Sequence, residues 1–243
     1  MIDVPSLLMG RAMAGEGGGG GSPDLPTIWQ VGAFGLGSAP VGTSIMVDIA
    51  GYNGKHALIS VMHRDTVTTP SGCTLVDETT YTNGGYTQTV SLYKAAIASD
   101  SFSVTFEQAS NVRICANAWV VSDDYTLTKK STDEFAYYQR KQNIAPESDA
   151  LVFFTFNATL AQTRYDPLDM VAESNGAWIC QPWAHHPLVN GAFSSGQNIN
   201  QLRHFTGIVF PSQSAWVWQI ALPYYDVDTN AEAQLVRYAL KKA

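Results

Sequence analysis

The 243-residue sequence predicts an all-β protein: an antiparallel, jelly-roll-like β-sandwich with a short C-terminal helix and a flexible N-terminal tail. Three observations point there. Apolar and polar residues alternate in short runs along most of the chain, the mark of strands with one buried face. Gly, Pro and Asn turn signals separate the runs, as in Gly51-Tyr52-Asn53-Gly54, Pro70-Ser71-Gly72 and Asn83-Gly84-Gly85. Helical spacing of apolar residues is confined to the C-terminus, which is the pattern of a sandwich or jelly roll.

In chain order, residues 1–14 form an apolar peptide carrying Val4, Leu7, Leu8, Met9 and Met13. It is too short to fold alone. It reads either as an anchor that docks on another protein or as a disordered start. Residues 15–26 contain a run of glycines and behave as a flexible linker. A phosphate-cradling loop is excluded there, because no Lys-Ser or Lys-Thr follows.

The sandwich is expected over residues 27–228. Strands are predicted at Ile28–Phe34, Ser44–Ile49, His56–His63, Tyr86–Tyr93, Ala150–Asn157, Ala177–Trp183 and Leu202–Phe210. Phe102, Val104 and Phe106 alternate with Ser101, Ser103 and Thr105, and a further alternating run covers residues 112–120. Ser214–Tyr224 places Trp216, Trp218, Ile220 and Leu222 on one face and Ala215, Val217 and Ala221 on the other, so it is expected to be central. The last element, residues 229–243, is predicted as a helix. Thr229 and Glu232 fit a capping box, Leu235, Val236, Ala239 and Leu240 form a stripe at helical spacing, and Lys241 and Lys242 favour the helix dipole. A faint internal echo links 56–61 (HALISV) with 149–154 (DALVFF), each followed further on by a strand ending in Asp, at 118–123 and 220–226. It suggests two related halves in one domain.

Composition narrows the function classes. The chain is 45% hydrophobic and only 14% charged, against roughly 25% in an average soluble domain, so it has core material and little of the character of a disordered chain. Its net charge of -7 and scattered Lys and Arg argue against a nucleic-acid partner. No run approaches the about 18 apolar residues of a membrane span, and the N-terminus lacks the basic start of a signal peptide. Cys73, Cys115 and Cys180 have no metal-type spacing; a Cys115–Cys180 disulfide is the less favoured reading beside free, buried thiols.

Candidate chemistry is sparse. His63-Arg64-Asp65 matches a kinase catalytic loop only as a tripeptide, with no accompanying nucleotide loop. A Gly-x-Ser-x-Gly elbow is absent, although a Ser/His/Asp triad could assemble in space. His185, His186 and His204, with Asp166 and Asp169, could offer metal ligands, but adjacent histidines on an extended chain point to opposite sides. The carboxylates Asp123, Asp124, Asp133 and Glu134 read as a solvated loop rather than a catalytic pair. No catalytic residue, metal or cofactor is assigned. Tyr81, Tyr86 and Trp183, with His185 and His186, are the candidates for ligand or receptor contact, since loop aromatics stack on sugars or anchor partners; lids over the core are the plainer reading. Asn157-Ala158-Thr159 is a glycosylation sequon.

The segments 57–65 (ALISVMHRD), 69–76 (TPSGCTLV) and 91–96 (SLYKAA) resemble a pattern recurrent in tailed-bacteriophage virion proteins. That pattern is an apolar strand ending near Arg-Asp, a Pro-x-Gly-Trp-Thr-Leu turn and a Tyr-Lys-hydrophobic strand; Cys73 stands here where Trp is usual. The resemblance covers residues 44–121, and more loosely 149–226. It implies a non-enzymatic structural or adhesion subunit of a phage-like virion and carries over no functional residues. The expected role is a tail-fibre or spike subunit, a homotrimer by default, bound to other virion proteins through residues 1–14 and able to meet a host-surface glycan. A capsid decoration or head-fibre protein, and a free carbohydrate-binding module, are the alternatives.

Overall fold

In the computed structural model, the described residues are 24–34, 43–83, 86–110, 114–136, 141–160, 170–173, 177–180, 189–193, 201–211, 214–218 and 232–243. All regular structure among them is strand. The first half holds β1 (Ile28–Phe34), β2 (Ser44–Ala50), β3 (His56–His63), β4 (Val67–Thr68), β5 (Cys73–Asn83), β6 (Tyr86–Ala96), β7 (Ser101–Gln108) and β8 (Cys115–Val121). The second holds β9 (Tyr125–Ala136), β10 (Lys141–Ile144), β11 (Leu151–Leu160), β12 (Met170–Glu173), β13 (Ala177–Cys180), β14 (Val189–Phe193), β15 (Gln201–Val209), β16 (Ser214–Trp218) and β17 (Glu232–Lys242).

These strands form four sheets in which every pairing is antiparallel: β1-β8-β3-β6-β5, β2-β7-β4, β14-β15-β11-β17-β9 and β10-β16-β12-β13. The third order, read from its other end, is β9-β17-β11-β15-β14. The two halves therefore repeat one winding. β1, β8, β3, β6 and β5 correspond in place to β9, β17, β11, β15 and β14, and β2, β7 and β4 to β10, β16 and β12. The sequence echo between residues 56–61 and 149–154 is the correspondence of β3 with β11. Of its second limb, residues 220–226 lie outside the described residues, and the strand in the place of β8 is β17.

Side-chain alternation explains the layers. On β3, Ala57, Ile59 and Val61 pack with Ile45, Val47 and Ile49 of β2 and Val104 and Phe106 of β7, which fills the space between a five-stranded sheet and a three-stranded one. β2 is correspondingly exposed and buried at alternate residues. Leu58 and Met62 point the other way, into a core shared with Leu92, Trp119, Leu151, Phe153, Ile208, Val236, Tyr238 and Leu240. This second core joins the two five-stranded sheets face to face. β3 and β8 are buried along both faces as a result. The turn into β5 matches its sequence signal: Cys73 N donates to the Pro70 carbonyl at 3.1 Å, and Gly72 takes a φ of 82°, the value a type II turn requires at its third residue.

The predicted C-terminal helix is overturned. Residues 232–242 form β17, hydrogen-bonded to β11 on one side and β9 on the other. Val236, Tyr238 and Leu240 face the central core, while Leu235 and Ala239, also buried, alternate with them. Adjacent apolar pairs such as Leu235-Val236 and Ala239-Leu240 suit a strand covered on both faces as well as a helix stripe, and two complete ladders outweigh local propensity. Residues 27–228 thus lack a central strand of the second half, and 229–243 do not form a separate element. The N-terminal peptide and most of the 15–26 linker lie outside the described residues.

Deleting residues 232–243 should remove the strand that joins β11 to β9. A thermal melt followed by circular dichroism should then show no cooperative transition, whereas a docked terminal helix would leave one.

Candidate functional site

The residues that carry structural work lie between the halves. Ser60 Oγ (β3) and His204 Nε2 (β15) are 2.9 Å apart, and Trp119 Nε1 (β8) donates to Thr206 Oγ1 (β15) at 2.9 Å. Asn117 Nδ2 donates to the His204 carbonyl at 3.3 Å. All five residues are buried, so these bonds form a polar seam inside an apolar core. Complete burial holds the His204 imidazole neutral, with its pKa lowered to about 3. Directional bonds across otherwise non-directional packing fix how one sheet is placed on the other.

The seam is bordered by charged groups. Tyr238 (β17) donates its hydroxyl to Asp77 Oδ2 (β5) at 2.9 Å, and Lys129 (β9) reaches Asp77 at 2.7 Å and Thr79 Oγ1 at 2.9 Å. The connection between halves is clamped as well. Lys94 pairs with Asp124, donates to the Tyr125 carbonyl at 2.6 Å and stands 4.7 Å from the centre of the Tyr125 ring. Tyr125 in turn donates to the Ala57 carbonyl at 2.9 Å. β14 also lies against β1 and β8. Each edge strand of one sheet therefore meets the counterpart of the other: β1 meets β14, which matches β5, and β5 is tied to β9, which matches β1. This is the self-complementary arrangement of a twofold dimer, made within one chain.

Among the described residues two Ser–His contacts exist, Ser60–His204 and Ser91–His63, the latter with Oγ to Nε2 at 2.8 Å. Both serines have no solvent-exposed surface, so neither presents a nucleophile to a substrate. No group of three or more His, Cys, Asp or Glu among the described residues could hold a metal ion. Cys73 and Cys115 are free thiols, and burial raises the pKa of Cys115 to about 12, the opposite of a reactive cysteine.

Of the predicted contact residues, Tyr81 is corrected: it lies in β5 and is 2% exposed. It stands in the ladder of the β5–β6 hairpin, opposite Gln88, rather than in a loop. Tyr86 opens β6, with its side chain outside the described residues. Trp183, His185 and His186 also lie outside them, as do Val4, Leu7, Leu8, Met9 and Met13. Asp133 and Glu134 belong to β9 rather than a loop, and bond Arg237 and Gln234 respectively. An aromatic group missed in the sequence stands at one end of the first half. Trp29 and Tyr52 have ring centres 5.8 Å apart, Lys55 Nζ lies 5.3 Å from the Trp29 ring, and all three are partly exposed. The turn beneath is held by Gly54 N to the Ile97 carbonyl and Ile97 N to the Lys55 carbonyl, at 2.9 and 2.8 Å. Its signal was the Gly-Tyr-Asn-Gly turn itself, which carries an aromatic residue.

No family model, curated protein or solved structure matches this chain.

Replacing Trp119 by Phe keeps most of the ring packing and leaves Thr206 without its partner. The expected cost is about 1–3 kcal/mol, read from the urea midpoint. His204 should make the fold acid-sensitive. Its folded pKa lies below its unfolded one, so its contribution is present above pH 6.5 and is lost as pH falls towards about 3. Over that window stability should fall by up to about 1.4 kcal/mol per pH unit from this group, and His204→Gln should flatten the acid limb of a stability–pH curve.

Proposed function

We propose that the chain is a non-enzymatic structural and attachment subunit of a phage-like virion, of the tail-fibre or spike type, with each half wound as a jelly roll. The observation that carries this reading is the stacking of two like-wound halves on a buried seam. The buried bonds between the halves hold the sheets at one placement, which suits a rigid building block. The resemblance of residues 44–121 to virion proteins supplies the setting. Residues 1–14 on their glycine linker are the proposed attachment peptide, and a homotrimer is the proposed assembly. A capsid decoration or head-fibre position is the closest variant.

A carbohydrate-binding role is the second reading, favoured by the Trp29, Tyr52 and Lys55 group. Partly exposed aromatic rings, Tyr52 on a hydrogen-bonded turn and Trp29 on the strand beside it, suit stacking on a sugar face.

Gold-labelled antibody against residues 27–243 should mark particles from the source at the tail. Label over the head would assign the decoration or head-fibre position, and an absence of label from every particle would overturn the virion reading. Glycan-array binding that is lost on Trp29→Ala would support the carbohydrate role; a protein that binds no glycan would remove it.

A further inference from the structure

His63 closes β3 and is buried at 3% exposure. Its Nδ1 lies 2.6 Å from the Asp65 carbonyl oxygen and its Nε2 2.8 Å from Ser91 Oγ. Ser91 Oγ lies in turn 2.9 Å from Glu78 Oε2, and Glu78 is exposed. Ser91 is the cross-strand partner of both Val61 and Glu78, so His63, Ser91 and Glu78 stand in a row on one face of β3, β6 and β5.

Hydrogen counting constrains this row. A carbonyl oxygen only accepts, so Nδ1 carries a hydrogen. The Nε2–Oγ and Oγ–Oε2 contacts each need one more. Three hydrogens are required, whereas a neutral imidazole, one hydroxyl and an ionised carboxylate supply two. An ordinary buried histidine pairs its donor and its acceptor with separate groups. Here one hydroxyl is shared between an imidazole and a carboxylate.

We propose that His63, Ser91 and Glu78 form a proton-binding site that takes up one proton to complete its hydrogen-bonded row. With the proton bound, imidazolium His63 donates from Nε2 to Ser91, and Ser91 donates to the Glu78 carboxylate. When the proton leaves Nε2 for solvent, the Ser91 hydroxyl serves either the imidazole or the carboxylate, and the other contact opens. The site thereby couples the β5–β6 hairpin, through Glu78, to the corner that follows β3.

Among the described residues, the charged and titratable groups around His63 are these. Arg64 and Asp65 follow it, Glu78 faces it from β5, and the Tyr93 hydroxyl on β6 hydrogen-bonds with Ser91 and Thr69. Asp65 is itself held by Ser110 and by the Thr66 amide. Burial lowers the His63 pKa, opposed by the Asp65 carbonyl and by the charges of Glu78 and Asp65. The net shift is downward, so the row is complete on the acid side of the usual histidine range and one contact is open above it.

The test is a titration of the full chain by NMR, following the His63 ring signals, assigned by their loss in His63→Gln. In the wild type, the neutral ring should carry its hydrogen on Nδ1, the tautomer the Asp65 carbonyl demands, and Nε2 should gain the proton on acidification. Ser91→Ala should lower the His63 pKa by about half a unit or more, and Ser91→Thr should restore it. Adding Ser91→Ala to Glu78→Gln should then have little further effect, since Nε2 has lost its route to a carboxylate. A neutral ring protonated on Nε2, or a His63 pKa unmoved by Ser91→Ala, would overturn the proposal, the second by showing that charges act on His63 through space alone.

Discussion

Face-to-face burial of the two five-stranded sheets is the interaction on which the rest of this molecule depends. Trp119, Leu58, Met62 and Leu92 on one side meet Leu151, Phe153, Tyr238 and Leu240 on the other. Each such side chain taken from water contributes about 1.5–3 kcal/mol. Neither sheet could leave that surface exposed, since contiguous apolar patches of this kind are rare on soluble proteins. The three-stranded sheet then has a simpler task, covering the second face of the first five-stranded sheet.

The seam also shows how position is specified. Apolar packing alone tolerates sliding, whereas the Trp119–Thr206, Ser60–His204 and Asn117–His204 bonds hold at one placement of sheet on sheet. At the margin, Asp77 gathers Tyr238 and Lys129, and Lys94 fastens the crossing from β8 to β9. Ionic contacts at exposed margins contribute little individually. Their role here is to tie β5 and β6 of the first half to β9 and β17 of the second.

That organisation bears on function through what it leaves available. Among the described residues, the serine–histidine pairs of the interior are sealed from solvent. Partly exposed side chains stand at turns and hairpins at the ends of the sheets. The Trp29, Tyr52 and Lys55 group and the β5–β6 hairpin are such places. On the hairpin, the hydroxyl pairs Thr80–Thr89 and Thr82–Thr87 continue the face that begins at His63, Ser91 and Glu78. A proton bound at the base of that face is thus placed to influence an exposed ribbon.

The all-β class and many strand positions were legible in the sequence, because alternation and turn chemistry are local. Ile28–Phe34 and His56–His63 fall where the pattern put them, and Gly72 turns the chain as its neighbours indicate. β5 and β9 were less visible: their Thr, Asp, Glu and Lys residues hide the alternation, and their place is set by pairing with β6 and β17. The repeat showed only where β3 and β11 share an apolar run, since topology outlasts sequence similarity. Tertiary structure alone decided three things. It made residues 232–242 a strand, because two waiting ladders are worth more than a helical stripe. It buried Tyr81, because pairing with Gln88 across the β5–β6 hairpin sets the face its side chain takes. It brought Ser91 between His63 and Glu78, because residues far apart in sequence become neighbours only through strand register.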